Sequence, residues 1–368
     1  MARPESVVPP FVPSPWLWGG HAQTLASAVL NRRLPEHRAV AREVDLGDGD
    51  RIVVHEDLPA AWTPRDPVAI LSHGLCDSHR GPLLVRLTAK LTARGVRVFR
   101  WDMRACGAGL ALARRPYHAG CSDDLRRVVE AVAAWCAGDA SDGPPPIAPI
   151  TPIALFGVSL SGNVLLKYLG EHAGRIPAAV RLAIAVNPPI DLVSGIRSLE
   201  SGSLNRLYDR RFVSMLLRHI DAWRRVRPDA PRVRPGRRPR SLREFDDRFT
   251  APAVGFPDAD AYYRASSAAP LIAGITLPTT IITSRDDPLV PAAMFSADRV
   301  HYPPAVRLVM TEHGGHVGYI GRRGVDPDCR WLEWRVVDLM ARYRHIGEDD
   351  RGPTPPEPDR LNRTDGPR

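Results

Sequence analysis

The segment Ile153–Asn163, IALFGVSLSGN, constrains this chain more than any other. An apolar run stops at small residues and continues directly into Leu160–Leu169, where apolar positions recur at helical spacing. No loop separates the two, so the chain must turn from strand to helix within a residue or two. Gly157 and Gly162 supply the missing side chains that let helix backbone pass close to strand backbone. A strand that feeds straight into a helix is a building unit of a parallel sheet.

The same alternation recurs along the chain. Val68–Ser72, Val96–Trp101, Leu182–Val186, Thr279–Thr283 and Val306–Met310 read as short buried strands. Pro82–Arg94, closed by Gly95, reads as a helix, as do Asp123–Cys136, with Ser122 or Asp123 as N-cap, and Pro327–Tyr343. Val40–Leu46 and Arg51–Asp57 flank LGDGD, a hairpin signal. The fold class expected is α/β, with a mostly parallel central sheet flanked by helices. Residues 1–35, rich in Pro and Trp, are expected to pack on the body as an arm without forming an element. Residues 36–190 and 265–346 make the core. Alternation pauses at 191–264, an insertion, and a Pro-rich linker spans 138–152. The tail 347–368 lacks the apolar residues needed to order it.

The net charge of +9 raises the question of nucleic acid. Of 50 basic residues only Lys90 and Lys167 are lysine, and Arg, Ala and Pro abound throughout, which points to a compositional bias. Residues 224–240 hold eight Arg and one Asp, so this stretch carries +7 and the rest of the chain +2. It lacks interleaved aromatic residues, and no nucleic-acid partner is expected. There is no run of 18 uncharged apolar residues and no basic-then-apolar leader pattern. The five cysteines form no CxxC pair, so neither a disulfide framework nor a metal site is indicated. A cytoplasmic protein without metal or cofactor is the expectation.

Gly157-Val158-Ser159-Leu160-Ser161 follows the nucleophile-elbow pattern G-x-S-x-G except at its last position. A serine hydroxyl needs a base, and the base needs an orienting carboxylate. Asp287, followed by Pro-Leu-Val-Pro in the loop after Thr279–Thr283, is the expected acid, with Asp286 as fallback. His316, in the glycine-rich turn after Val306–Met310, is the expected base, and His313 is expected to be structural. All three expected residues fall at strand C-terminal ends, on one edge of a parallel sheet. His73-Gly74-Leu75 follows Val68–Ser72. The main-chain N–H groups of Leu75 and Leu160 are the expected donors to an oxyanion. Gly74 would let that backbone come close, and His73 would either position the loop or fill the core.

With these pieces the sequence resembles the YheT-type α/β-hydrolases, bacterial cytoplasmic proteins related to eukaryotic lipid esterases and lipases. The resemblance rests on Trp16–Leu25 (WLWGGHAQTL), His73-Gly74-Leu75, Asp102–Gly107 (DMRACG), Gly157–Asn163, Arg243–Asp247 (REFDD), Tyr262-Tyr263, Asp286-Asp287-Pro288 and Gly314-Gly315-His316, across roughly residues 11–345. It implies an α/β-hydrolase fold with a helical lid insertion and a serine hydrolase of carboxylic esters, with Ser159, Asp287 and His316 at the catalytic positions. His21 and Gln23 would either line the substrate site or lock the arm to the body. Two departures stand out. Ser161 replaces the usual glycine, narrowing the elbow, and the Arg/Pro run at 224–240 is extended.

Leu204–Ile220 alternates apolar and basic residues at helical spacing and fits a lid helix over an acyl pocket. The Arg/Pro run behind it is either a contact for anionic lipid headgroups or a solvated loop. The partner expected is a small-molecule or lipid acyl ester. Two rivals remain at this stage: acyl transfer to an alcohol instead of water, and a catalytically idle membrane- or nucleic-acid-binding protein.

Overall fold

The computed structural model describes residues 8–30, 34–35, 38–138, 151–234 and 236–341; the expected tail and most of the Pro-rich linker lie outside them. Eight strands form one sheet: β1 (Val40–Asp45), β2 (Arg51–Asp57), β3 (Val68–Ser72), β4 (Arg97–Trp101), β5 (Ile153–Val158), β6 (Val180–Val186), β7 (Thr279–Ser284) and β8 (Val306–Thr311), in the spatial order β1-β2-β4-β3-β5-β6-β7-β8. The first two pairings are antiparallel and the other five parallel. The register sets Ser72 beside both Trp101 and Gly157, Val158 beside Val186, and Ser284 beside Thr311. All six parallel strands therefore end along one edge.

Helices cover both faces. On one face α3 (Ser122–Gly138) and α4 (Leu160–Glu171) pack on Ile153 and Leu155 of β5. On the other, α2 (Pro82–Thr92) and α10 (Trp331–Ala341) pack on Ala154, Phe156 and Val158. Alternate β5 side chains thus enter opposite cores, which is why the strand reads as one unbroken apolar run. The last helix begins four residues later than Pro327, because the Asp328 carboxylate accepts the Arg330 N–H at 2.8 Å and holds the preceding chain out of the helix.

The pause between β6 and β7 is helical: α5 (Leu192–Glu200), α6 (Ser203–Val226), α7 (Leu242–Phe245), a π-helical turn at Asp246–Thr250, α8 (Ala251–Ala253) and α9 (Ala259–Ser266). In the basic stretch that follows α6, Arg227 pairs with Asp229 at 2.9 Å and donates to Ala111 O, and Arg237 lies 3.7 Å from Glu244.

The arm departs from expectation, because it contains a helix, α1 (Gly20–Val29). The reason is tertiary. Gly19, at φ 83°, turns the chain into α1, and a Cβ on Gly20 would sit 1.6 Å from Asp286 O, so the helix starts in contact with the loop after β7. Wholly buried Gln23 locks it down. Its amide nitrogen donates to Leu17 O (3.0 Å) and Ile320 O (3.2 Å), and its oxygen accepts the Ile320 N–H (2.8 Å). Backbone bonds Ser14 N–H to Ile320 O and Arg322 N–H to Val12 O extend the seam. Buried groups left unpaired cost about 1–3 kcal/mol each. Gln23→Ala is expected to lower the unfolding free energy by about 2–4 kcal/mol in urea titration, and to expose residues 8–30 to proteolysis before the rest of the chain.

Candidate active site

Ser159 joins β5 to α4 at a positive φ of 53°, a strained conformation that a non-glycine residue adopts at a cost of about 1–3 kcal/mol. The neighbours impose it. Ser159 N–H donates to Val186 O at 2.8 Å, and a Cβ on Gly157 would lie 2.4 Å from Ser161 O. Ser161 does not line the cavity described below. Its wholly buried hydroxyl accepts the Val158 N–H at 2.8 Å and lies 2.9 Å from Ser72 O, bracing the elbow against β3 from beneath. The residue that breaks the glycine pattern is therefore a cross-brace.

His316 Nε2 lies 2.8 Å from Ser159 Oγ, and His316 Nδ1 lies 2.9 Å from Asp287 Oδ2. Asp287 Oδ1 accepts the N–H groups of Leu289 and Val290 at 2.8 and 3.0 Å. A serine held by an imidazole that a carboxylate holds in turn can lose its proton as it attacks. Asp286 points elsewhere. It accepts the Gly315 N–H at 2.9 Å and lies 3.3 Å from His313 Nδ1, so this second Asp–His pair fastens the two loops together.

One participant is invisible in the sequence reading. Asn187, directly after β6 and left-handed at φ 44°, donates from Nδ2 to Asp287 Oδ2 at 2.7 Å and accepts the Val317 N–H at 3.3 Å. Its only signal was an asparagine, a residue that tolerates this conformation, at a strand end on the same edge. The arm also takes part: Thr24 Oγ1 accepts the His316 N–H at 2.8 Å, and a Cβ on Gly315 would lie 2.3 Å from Gly20 O.

Leu160 is the first residue of α4, so its N–H has no acceptor within the helix. Gly74 runs beside the elbow, where a Cβ would lie 3.8 Å from Ser159 Cβ. His73 does not line the cavity. It is wholly buried, with Nε2 accepting the Met103 N–H at 3.1 Å and Nδ1 2.8 Å from Gly74 O. This bonding pattern assigns a neutral ring protonated on Nδ1. Holding the Gly74 carbonyl toward the ring turns the Leu75 N–H of the same trans peptide the opposite way. Gln23 and His21 are likewise outside the lining. Gln23 is spent on the arm, and His21 stacks on Tyr208 with Nδ1 3.1 Å from its hydroxyl.

Gly74, Leu75, Ser159 and His316 open into a cavity of about 480 Å³ whose other walls are largely apolar, including Ile196 and Leu199 of α5 and Phe212 and Leu216 of α6. Burial pushes His219, on the same wall, down to about 4. Behind the Gly74 loop, Asp102 is buried, which alone would raise its pKa. Hydrogen bonds from His55, His79 and the His79 N–H instead hold it well below the usual carboxylate range. Among the described residues these three side chains form the only His/Cys/Asp/Glu group spaced for a metal ion. Their ligand atoms are already spent on one another, and the two rings stack 3.4 Å apart, so the group reads as a latch on the loop.

Residues 67–322 match the family described as the alpha/beta hydrolase fold. The chain belongs to that family. This α/β hydrolase is 29% identical to YheT of Escherichia coli over 338 residues, covering 90% of this chain and 93% of the relative. It is 24% identical to human phospholipase ABHD3 over 348 residues, covering 91% and 80%. Among solved structures, the α/β hydrolase GrgF from Penicillium sp. superposes with a TM-score of 0.52 at 21% identity, covering 84% of this chain and all of that one.

The REFDD segment of this α/β hydrolase reaches the cavity through Asp246, which is buried and accepts hydrogen bonds from Thr250 Oγ1 (2.6 Å) and Tyr263 OH (2.7 Å). Burial, opposed in part by those two bonds, raises its pKa from 3.8 to about 6. A proton held more tightly in the folded state favours folding below pH 3.8, and that benefit disappears as pH rises through 6. Relative to Asp246→Asn, the wild type is expected to lose about 2 kcal/mol of stability between pH 4 and pH 6. Chemical denaturation of both proteins across that range measures it.

Proposed function

We propose that this protein is a serine hydrolase of carboxylic esters working through an acyl-enzyme. The observation that carries the reading is the chain of contacts from Ser159 Oγ through His316 to Asp287, opening on an apolar cavity. Ser159 attacks the ester carbonyl while His316 Nε2 takes its proton. Asp287 keeps the imidazole in the tautomer with hydrogen on Nδ1 and offsets the positive charge that forms. The Leu75 and Leu160 N–H groups receive the developing oxyanion, each contributing about 2.7–4 kcal/mol to the transition state. His316 then protonates the departing alcohol, and water repeats the sequence to release the acid. The apolar walls favour an acyl chain, and α5 and α6 act as the lid that keeps water from it. A relative named as a phospholipase supports lipid esters as the substrate class.

Ser159→Ala is expected to lower turnover of a p-nitrophenyl acyl ester by about 10⁶ and to abolish labelling by a fluorophosphonate probe. Asp287→Asn should lose about 10⁴, whereas Asp286→Asn, which keeps an acceptor for the Gly315 N–H, should stay within about tenfold of wild type. Undiminished turnover in the Ser159 variant would remove this reading.

A further inference from the structure

We propose that the face around the cavity mouth, built by the arm and the first half of α6, docks on an anionic lipid surface; this rests on the reading of the cavity as an acyl-ester site. The arm and the first half of α6 hold large apolar side chains in solvent: Trp16 is 90% exposed and Val29 75%, with Trp18, Leu204 and Leu207 each more than half exposed. His21 stacked on Tyr208 brings α1 beside the start of α6. Leu25 and Arg211 each line the cavity and face solvent, which locates its mouth between the two helices. Leu204, Leu207 and Arg211 follow one stripe of α6 at three- and four-residue spacing. The Trp18 indole N–H donates to Pro15 O at 2.7 Å, so its ring can leave water without stranding a donor.

Charge selects the partner. Residues 8–30 contain no Asp, Glu, Lys or Arg, and residues 203–218 contain Arg206, Arg210, Arg211 and Arg218 against one acid. That acid, Asp209, is buried and accepts the Leu242 N–H. Glu200, just before α6, and Asp77, which lines the cavity and faces solvent, are neighbouring exposed carboxylates, two against four. Exposed tryptophan and leucine flanked by arginine match a headgroup layer over hydrocarbon. Among the described residues no helix is long and apolar enough to cross a membrane, so contact would be peripheral. An acyl chain lifted from that layer would enter the apolar cavity with little passage through water. The docking surface is therefore placed at the mouth; in the Arg/Pro run at 224–240, Arg227 and Arg237 face carboxylates of the protein itself, while Arg238 and Arg240 line a groove with Arg206 and Arg210 of α6.

The test is co-sedimentation with phosphatidylcholine vesicles, with and without phosphatidylglycerol, using wild type, Ser159→Ala and the double variant Trp16→Ser/Leu204→Ser. Wild type and Ser159→Ala should both sediment with the phosphatidylglycerol vesicles and less with phosphatidylcholine alone, and added salt should weaken the binding. The double variant should bind at least about tenfold more weakly, with its thermal midpoint and its turnover of soluble p-nitrophenyl acetate unchanged. Wild type left in the supernatant, or a double variant that sediments like wild type, overturns docking. So does a wild-type dimer that the double variant abolishes, since a second copy would then cover this face. Absent turnover with vesicle binding intact would instead remove the ester-hydrolase reading.

Discussion

A serine strained to positive φ at the end of a strand buried on both faces is the constraint on which the rest of this structure depends. Strained conformations of this kind cost about 1–3 kcal/mol and persist only where the surroundings over-determine them. Here the Val186 carbonyl takes the Ser159 N–H, Gly157 removes the side chain that would strike the next turn, and Ser161 ties the elbow to β3. The result lifts one hydroxyl clear of the sheet and starts α4 immediately behind it, leaving the helix's first N–H without a helical acceptor.

The second requirement is convergence. Parallel pairing ends β3, β4, β5, β6, β7 and β8 on one edge, so the loops that follow neighbouring strands begin side by side. Proximity alone does not align an imidazole to within hydrogen-bond distance at both ends. That is done by surrounding contacts: Asn187 on Asp287, Asp286 on Gly315, Thr24 on His316, and the Gln23 seam that holds α1 in place. The arm is thus part of the scaffold of the site, and its exposed Leu25 lines the cavity.

Much of this was legible in the sequence because the signals were local. A strand buried on both faces must be apolar throughout, and a turn without room for a Cβ must carry glycine. The pairs Asp286/Asp287 and His313/His316 were each resolved to one expected member by sequence neighbours alone, and the distances place Asp287 and His316 beside each other, within reach of Ser159. The illegible part was long-range. The contacts that seat the helix at residues 20–29 are distant in sequence, the Asp286 carbonyl against Gly20 being some 266 positions away. For Gln23 and His73 the sequence left a site role and a bracing role open, and both spend their hydrogen bonds on backbone inside the fold. Asn187 carried no motif at all.

By itself the sequence determined the period of each element, the sharp strand-to-helix turn and the order of alcohol, carboxylate and imidazole along the chain, since these follow from side-chain volume, backbone freedom and short-range spacing. Only the tertiary structure decided how closely the carboxylate, imidazole and hydroxyl are aligned, and which polar side chains face the cavity and which brace it. Those outcomes depend on hydrogen bonds and packing between segments up to 300 residues apart, such as Leu30 and Arg330, which no local pattern encodes.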